Sequence, residues 1–157
     1  MLVETTKNVK KYESYKYAFE RLKEAIEREF FLEAVVIAES IISDRLISYL
    51  VVRHQELKTS EKLPNTKTSL GKLIEKWQQI DQKVSYKDWD DLIKDVDKWR
   101  GDRNECAHAL VKSNPGSSTH SVEEFVTKSR NCALVGTKLA RAVCSWTQSR
   151  KAKIPKI

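Results

Sequence analysis

Three side chains in the second half of the chain could act together on a phosphate group. Arg103, Asn104 and His108 lie within six positions of a stretch whose pattern is helical. Asn104 and His108 are an i, i+4 pair on one helix face, with Arg103 at the border of that face. An imidazole exchanges a proton near neutral pH, and the fork of a guanidinium matches two phosphate oxygens. These residue types at this spacing suit chemistry on a phosphodiester.

Spacing alone does not distinguish a site from a solvated helix face. The chain has nine arginines and three histidines, so an Arg shortly before a His is expected by chance. Further polar residues interrupt an apolar run in the first half of the chain, where unpaired charge is costly. They either face solvent or pair with the helix that carries the motif or with a second copy: Glu39, Ser40, Asp44 and Arg45. Of these, Glu39 and Asp44 are the better candidates for contact with a site.

The first half of the chain predicts two helices. Residues 12–29 place apolar side chains at three- and four-residue steps, which is typical of an amphipathic helix. Residues 30–54 are apolar over a wider arc, which predicts a central helix or one that carries an interface. No Gly or Pro separates them, but a single helix over both would be unusually long for a globular domain. We therefore expect a tight turn near Phe30 and Phe31.

A loop and a short helix follow. Helical spacing is lost over 55–68, which contains a Pro-Asn turn signal, and it returns from Leu70 to Trp77. The four tryptophans occupy apolar helical positions and are expected in the core. His54 and His120 have no comparable context and are expected on the surface.

The helix that carries the motif is predicted from a capping signal. Ser85 followed by Asp88 resembles a capping box, although the usual partner is Glu or Gln. Gly101 interrupts the pattern, which indicates either a kink or a new helix from Asp102, and both alternatives leave residues 103–110 helical.

A final helix is predicted after a loop over 112–120. Ser121 with Glu124 is a second capping signature, and the helix is expected to reach about Arg150. Its predicted buried stripe consists of Phe125, Cys132, Val135, Leu139, Ala142, Val143 and Trp146.

Composition favours one all-α domain. The 157 residues include only four Gly and three Pro, with 40% hydrophobic and 32% charged residues, a mixture that favours amphipathic helices. We expect an antiparallel bundle of four to five helices over 1–157, with flexible ends at 1–11 and 150–157. The formal charge of +7 favours encounters with polyanions such as RNA, DNA or anionic lipid.

Several features that the sequence lacks bear on where the protein is found and on whether it needs a cofactor. No stretch approaches the ~20 uncharged apolar residues of a membrane helix, so no membrane partner is expected. The chain has three cysteines, Cys106, Cys132 and Cys144, an odd number without CxxC spacing. This pattern favours a reducing cytoplasm. We find no cluster suited to a metal and expect no cofactor.

The stretch RNECAHAL resembles the signature of the HEPN superfamily (higher eukaryotes and prokaryotes nucleotide-binding). That motif is Arg, a polar residue that is often Asn, three further residues and His, and Arg103, Asn104 and His108 match it residue by residue. The run FFLEAVVIAESIISDRLISYL is similar to the long second helix of the family, and the motif precedes the last helix, as in HEPN proteins. The likeness spans most of the chain, but only the six-residue motif is specific.

The resemblance implies an all-α homodimer whose two motifs share one cleft, and metal-independent cleavage of RNA. His108 would then assist attack of a ribose 2′-hydroxyl on its own phosphate, Arg103 would stabilise the phosphorane, and Asn104 would orient either group or bind the phosphate. Arg100 is expected to be a surface charge that could contact the RNA backbone. A toxin or defence effector with an antitoxin or regulatory partner would fit such an enzyme.

Two other functions remain open from the sequence. A HEPN-like module without catalysis would bind a nucleotide, a nucleic acid or a protein. A helical interaction domain of a larger assembly would use the motif only as helix-capping chemistry.

Overall fold

The helices follow the order in which apolar spacing predicts them. The computed structural model describes residues 2–108, 115–116 and 121–154, with side chains from residue 9 onward. Within these ranges there are five α-helices and no strand: α1 (Leu2–Glu27), α2 (Phe31–Leu57), α3 (Leu70–Ile80), α4 (Leu92–His108) and α5 (Val122–Ala152). The predicted all-α class is confirmed for this part of the chain.

The predicted turn between the first two helices is confirmed. The backbone N–H of Phe30 donates to the carbonyl of Ala25 (2.8 Å), and that of Glu29 donates to Ile26 (3.1 Å). This pair of bonds is a Schellman motif, which needs a left-handed residue at its centre. Glu29, with φ of 61°, is that left-handed residue. Helix α2 ends in the same way at Lys58, whose φ is 52°. Both helices therefore stop without the glycine that usually marks such an end.

Helix α2 is central, as its wide apolar arc predicts. It contacts each of the other four helices and packs most extensively against α5. Fully buried small residues on both helices allow this close approach: Ala34, Ala38, Ala133 and Ala140. Around them lies one continuous apolar core to which all five helices contribute.

Paired contacts give the directions of the helices. The ion pairs between α1 and α2 show that these two helices run antiparallel. By contrast, α2 and α5 run parallel: Phe31 and Phe125 line one cavity near their N-terminal ends, and Ser48 bonds Lys151 toward their C-terminal ends. The most extensive helix contact is therefore between two helices of the same direction.

The predicted capping box at Ser85 is wrong. Helix α4 begins at Leu92, and Asp91 caps it, because its Oδ1 accepts the backbone N–H groups of Ile93 (3.2 Å) and Val84 (3.3 Å). The Ser85 hydroxyl donates instead to a backbone carbonyl of the turn that precedes the helix. An Asp directly before an apolar run was the signal for the true start.

Two expectations about burial are also wrong, and Trp89 and Phe125 are buried only in part. His54 is buried rather than exposed, because the chain after α2 folds back and places the Thr59 hydroxyl 2.7 Å from its Nδ1. Val135 is exposed, since Ala133 and Gly136 rather than Val135 face the core. Trp77, Trp99 and Trp146 are buried as predicted, whereas Trp89 is half-buried. His120 lies outside the described residues.

The ends of the long helices differ from the prediction in extent. Helix α1 begins at Leu2, ten residues before its predicted start, over a segment free of Gly and Pro. Helix α5 begins as predicted, with the Ser121 hydroxyl accepting the backbone N–H of Glu124 (3.2 Å), and it ends at Ala152. Of the predicted loop, only Pro115 and Gly116 are described, as a turn. No helix in the described ranges has the length and apolar content to cross a membrane.

Candidate active site

The motif lies on one continuous helix. Helix α4 runs unbroken through Gly101 to His108, so no second helix starts at Asp102. Residues 103–108 are helical as predicted, and residues 109–110 lie outside the described part. The three motif residues therefore keep regular helical geometry, with Arg103 and His108 about 7.5 Å apart along the axis.

Trp99 anchors this helix to α5. Its indole is buried, and its Nε1 donates to the carbonyl of Cys132 (2.9 Å). The ring lies directly against Gly136, where an added Cβ would come within 2.7 Å of the indole Cζ2. The absence of a side chain at Gly136 thus sets how closely the motif helix approaches α5.

Arg103 is held by an acidic residue of the central helix. Its Nη1 lies 3.1 Å from Oε2 of Glu39, and the two side chains are 23% and 26% exposed. The sequence left open whether Glu39 faces solvent or pairs with the motif helix, and the structure shows the pairing. The Nε of Arg103 is buried without a hydrogen-bond partner among the described residues. Glu39 therefore orients the guanidinium and offsets its charge.

The other two motif residues are more accessible. Asn104 is half-buried and His108 is exposed. One helical turn separates them on the same face, so both side chains are available to a ligand on that face. Arg103 lies at the inner edge of this face and His108 at its open end.

Two of the residues predicted to support the site, Arg100 and Asp44, do not contact the motif. Arg100 turns toward α3, where its guanidinium covers Gly71, and it pairs with Asp97 (3.1 Å). Asp44 faces α1, where it accepts hydrogen bonds from Lys11 (2.6 Å) and from the Tyr15 hydroxyl. Of the three supporting residues predicted, only Glu39 contacts the motif.

The motif helix is not a basic surface. Its basic residues are interleaved with acidic ones, and the pairs Arg100–Asp97 and Arg103–Glu39 offset two of the cations. Asp102 and Glu105 are exposed on the same helix. The excess positive charge of the chain therefore lies mainly elsewhere.

Cysteine chemistry does not contribute to the site. Cys106 is buried within the motif helix, whereas the next residue, Ala107, is exposed. Burial raises the pKa of the Cys106 thiol, and burial together with the neighbouring Cys106 raises the pKa of Cys132 to about 12. Both thiols stay protonated at neutral pH and are poor nucleophiles. Among the described residues, no group of three or more His, Cys, Asp or Glu is placed to hold a metal ion.

No protein-family model, curated protein or solved structure matches the chain. The likeness to HEPN proteins therefore depends on the motif and on the helix pattern around it. The geometry offers an oriented cation, an amide and an accessible imidazole along one face of a helix. That set can bind a phosphate and move a proton beside it.

Proposed function

We propose that the chain is a metal-independent endoribonuclease of HEPN type. The observation that carries the proposal is the arrangement on α4, where an accessible His108 follows Asn104 on one face and Glu39 orients Arg103 at its edge. A preoriented cation beside a developing charge is often the largest contribution to catalysis.

The proposed reaction is attack of a ribose 2′-oxygen on the adjacent phosphorus. The 2′-O–P bond forms, the P–O5′ bond breaks, and the products are a 2′,3′-cyclic phosphate and a 5′-hydroxyl. His108 accepts the 2′-hydroxyl proton, Arg103 binds the phosphorane oxygens, and Asn104 donates an amide hydrogen to the phosphate. The leaving 5′-oxygen also requires a proton, and His108 is the one imidazole on this face within the described residues.

A second copy of the chain would supply that further proton donor. Beside Glu39, α2 presents an outward stripe at i, i+4 and i+7 that is apolar or small: Val36, Ser40 and Ser43. Val36, in the second turn of α2, is a valine that is 61% exposed. We place the homodimer contact on this stripe, because it would bring two motifs to one cleft.

Cleavage of RNA in EDTA tests the proposal. His108→Ala should lower the rate by about 10²- to 10⁴-fold, the usual range for loss of a general acid or base. Lys98→Ala, which removes an exposed cation of the same helix, should stay within about twofold and controls for non-specific charge effects. Equal cleavage by wild type and His108→Ala would refute the proposal.

One observation favours a second function, that of a HEPN-like binding module without catalysis. The pairing with Glu39 already offsets the charge of Arg103, so a bound phosphate must compete with a carboxylate. RNA binding that survives in Arg103→Ala/His108→Ala, with no cleavage by wild type from pH 5 to 9, would support this function. A toxin or defence role with an antitoxin remains a prediction of the resemblance.

A further inference from the structure

A concentration of positive charge lies on a different face of the molecule, between α1, α2 and α5. An open groove of about 600 Å³ separates these helices there. Four cationic side chains line it: Lys11, Lys16, Arg45 and Lys151. No carboxylate of the described residues lines this groove, and the neighbouring Asp44 already accepts hydrogen bonds from Lys11 and Tyr15. We call this feature the basic groove.

Two of the cations are set deeper than the others. Arg45 and Lys151 are half-buried, whereas Lys11 and Lys16 are exposed. The Arg45 guanidinium stacks on the Tyr15 ring at 3.8 Å from its centroid, which fixes its plane. These two cations therefore form the floor of the basic groove.

Neither cation at this floor forms an ion pair among the described residues, and Asp44 offsets the charge of Lys151 only in part. Among the described residues, no carboxylate lies within salt-bridge distance of Arg45, and its Nε is buried without a partner. Lys151 bonds a neutral group, the Ser48 hydroxyl, at 2.6 Å. Burial and the neighbouring Arg45 lower the pKa of Lys151. A half-buried pair of like charges is costly unless an anion lies between them.

We propose that the basic groove binds a small molecule through a terminal phosphate held between Arg45 and Lys151. A volume of this size is within the range of small-molecule sites, about 300–1,000 Å³. Tyr12, 70% exposed at the rim, offers an aromatic face to the rest of the ligand. The two cations lie at the floor rather than along a surface, which favours a terminal phosphate over the backbone of RNA. This site does not depend on RNA cleavage at α4.

Calorimetric titration of the full chain at constant ionic strength tests this proposal. The probes are inorganic phosphate, phenyl phosphate, glycerol phosphate and a single-stranded RNA with hydroxyl ends. Phosphate and the esters should bind to one site, and tighter binding of phenyl phosphate would identify an aromatic ligand stacked on Tyr12. Arg45→Gln should weaken binding at least about tenfold, because it removes charge-assisted bonds.

Two further variants separate binding from folding. Lys151→Gln should weaken binding by a similar factor and leaves Arg45 stacked on Tyr15. Arg53→Gln is the matched control on α2, because Arg53 also has a buried, unpartnered Nε but pairs with Glu56 outside the basic groove. The proposal is overturned if both groove variants bind phosphate within twofold of Arg53→Gln. It is also overturned if only RNA binds and the groove variants abolish that binding, since the groove would then be an RNA surface.

Discussion

The charge on Arg103 is controlled by a residue of another helix. Glu39 lies 3.1 Å from the guanidinium, in surroundings that are about three-quarters buried. A carboxylate in this position orients the fork of the guanidinium but also competes with a phosphate for it. Binding and catalysis should therefore respond differently when the carboxylate is removed.

The Glu39→Gln variant tests whether binding and catalysis respond differently. The amide keeps the shape of the side chain and loses its charge, so KM for RNA should fall while kcat also falls, because Arg103 binds phosphate more readily but is less well oriented. Steady-state cleavage kinetics give both constants. Glu105→Gln, which removes an exposed carboxylate of α4, controls for the overall change in charge. Unchanged KM and kcat in Glu39→Gln would show that the pair has no part in activity.

Buried phenols make the fold sensitive to alkaline pH. Burial, followed by a hydrogen bond to Asp44, raises the pKa of Tyr15 above its ordinary 10.0. Burial and a bond to Asp81 raise that of Tyr49 in the same way. The unfolded chain then ionises first, so this contribution to stability is complete below pH 10 and is lost as pH rises above it. Burial also raises the pKa of Cys132 above its ordinary 9.0, so its contribution to stability is lost as pH rises above about 9.

The urea midpoint should therefore be constant up to about pH 8.5 and fall between pH 9 and 11. Tyr15→Phe should make the decline shallower, whereas Tyr17→Phe should not, because Tyr17 is 67% exposed. A midpoint that stays level to pH 11 would contradict this prediction.

At the scale of elements, two glycines on neighbouring helices should respond in opposite ways to the same substitution. A Cβ at Gly136 would meet the buried Trp99 ring at 2.7 Å, so Gly136→Ala should destabilise the fold by about 1–3 kcal/mol. Nothing lies within 4 Å of a Cβ at Gly101, so Gly101→Ala should stabilise it by up to about 1 kcal/mol. Urea unfolding measures both. A neutral or stabilising Gly136→Ala would show that Trp99 does not limit the approach of α5.

Much of this architecture is predictable from sequence because apolar spacing repeats over many residues. The turn at Phe30, the central α2 and the start of α5 at Ser121 follow from that spacing and from local capping. The start of α4 is harder to predict, because Ser85 and Asp91 both carry capping groups and only Asp91 lies directly before the apolar run.

Part of the candidate site is also predictable from residue spacing. The motif residues share a helix face by spacing alone, but the pairing of Arg103 with Glu39 joins residues 64 positions apart. No periodicity encodes such a pair. The basic groove was missed because its four cations come from three different helices, of which α5 is far in sequence from α1 and α2. The burial of His54 was missed because it depends on how the following loop folds back.

The outward stripe of α2 predicts the oligomeric state. Val36→Arg places a charge on the proposed dimer contact and should convert a dimer to a monomer in light scattering at micromolar concentration. Leu57→Arg is the matched control, on the same helix about 30 Å away and 48% exposed. RNA cleavage should fall with the dimer in the first variant and persist in the second. A wild-type chain that is monomeric at all concentrations would rule out a shared cleft.

The parallel packing of α2 against α5 also has a consequence for synthesis. The apolar arc of α2 is made early, but the helix that covers most of it ends at Ala152. Translation proceeds at roughly 5–20 residues per second, so the nascent chain exposes this arc for several seconds. We therefore expect a chain interrupted before α5 to aggregate rather than fold, because the apolar arc of α2 stays exposed.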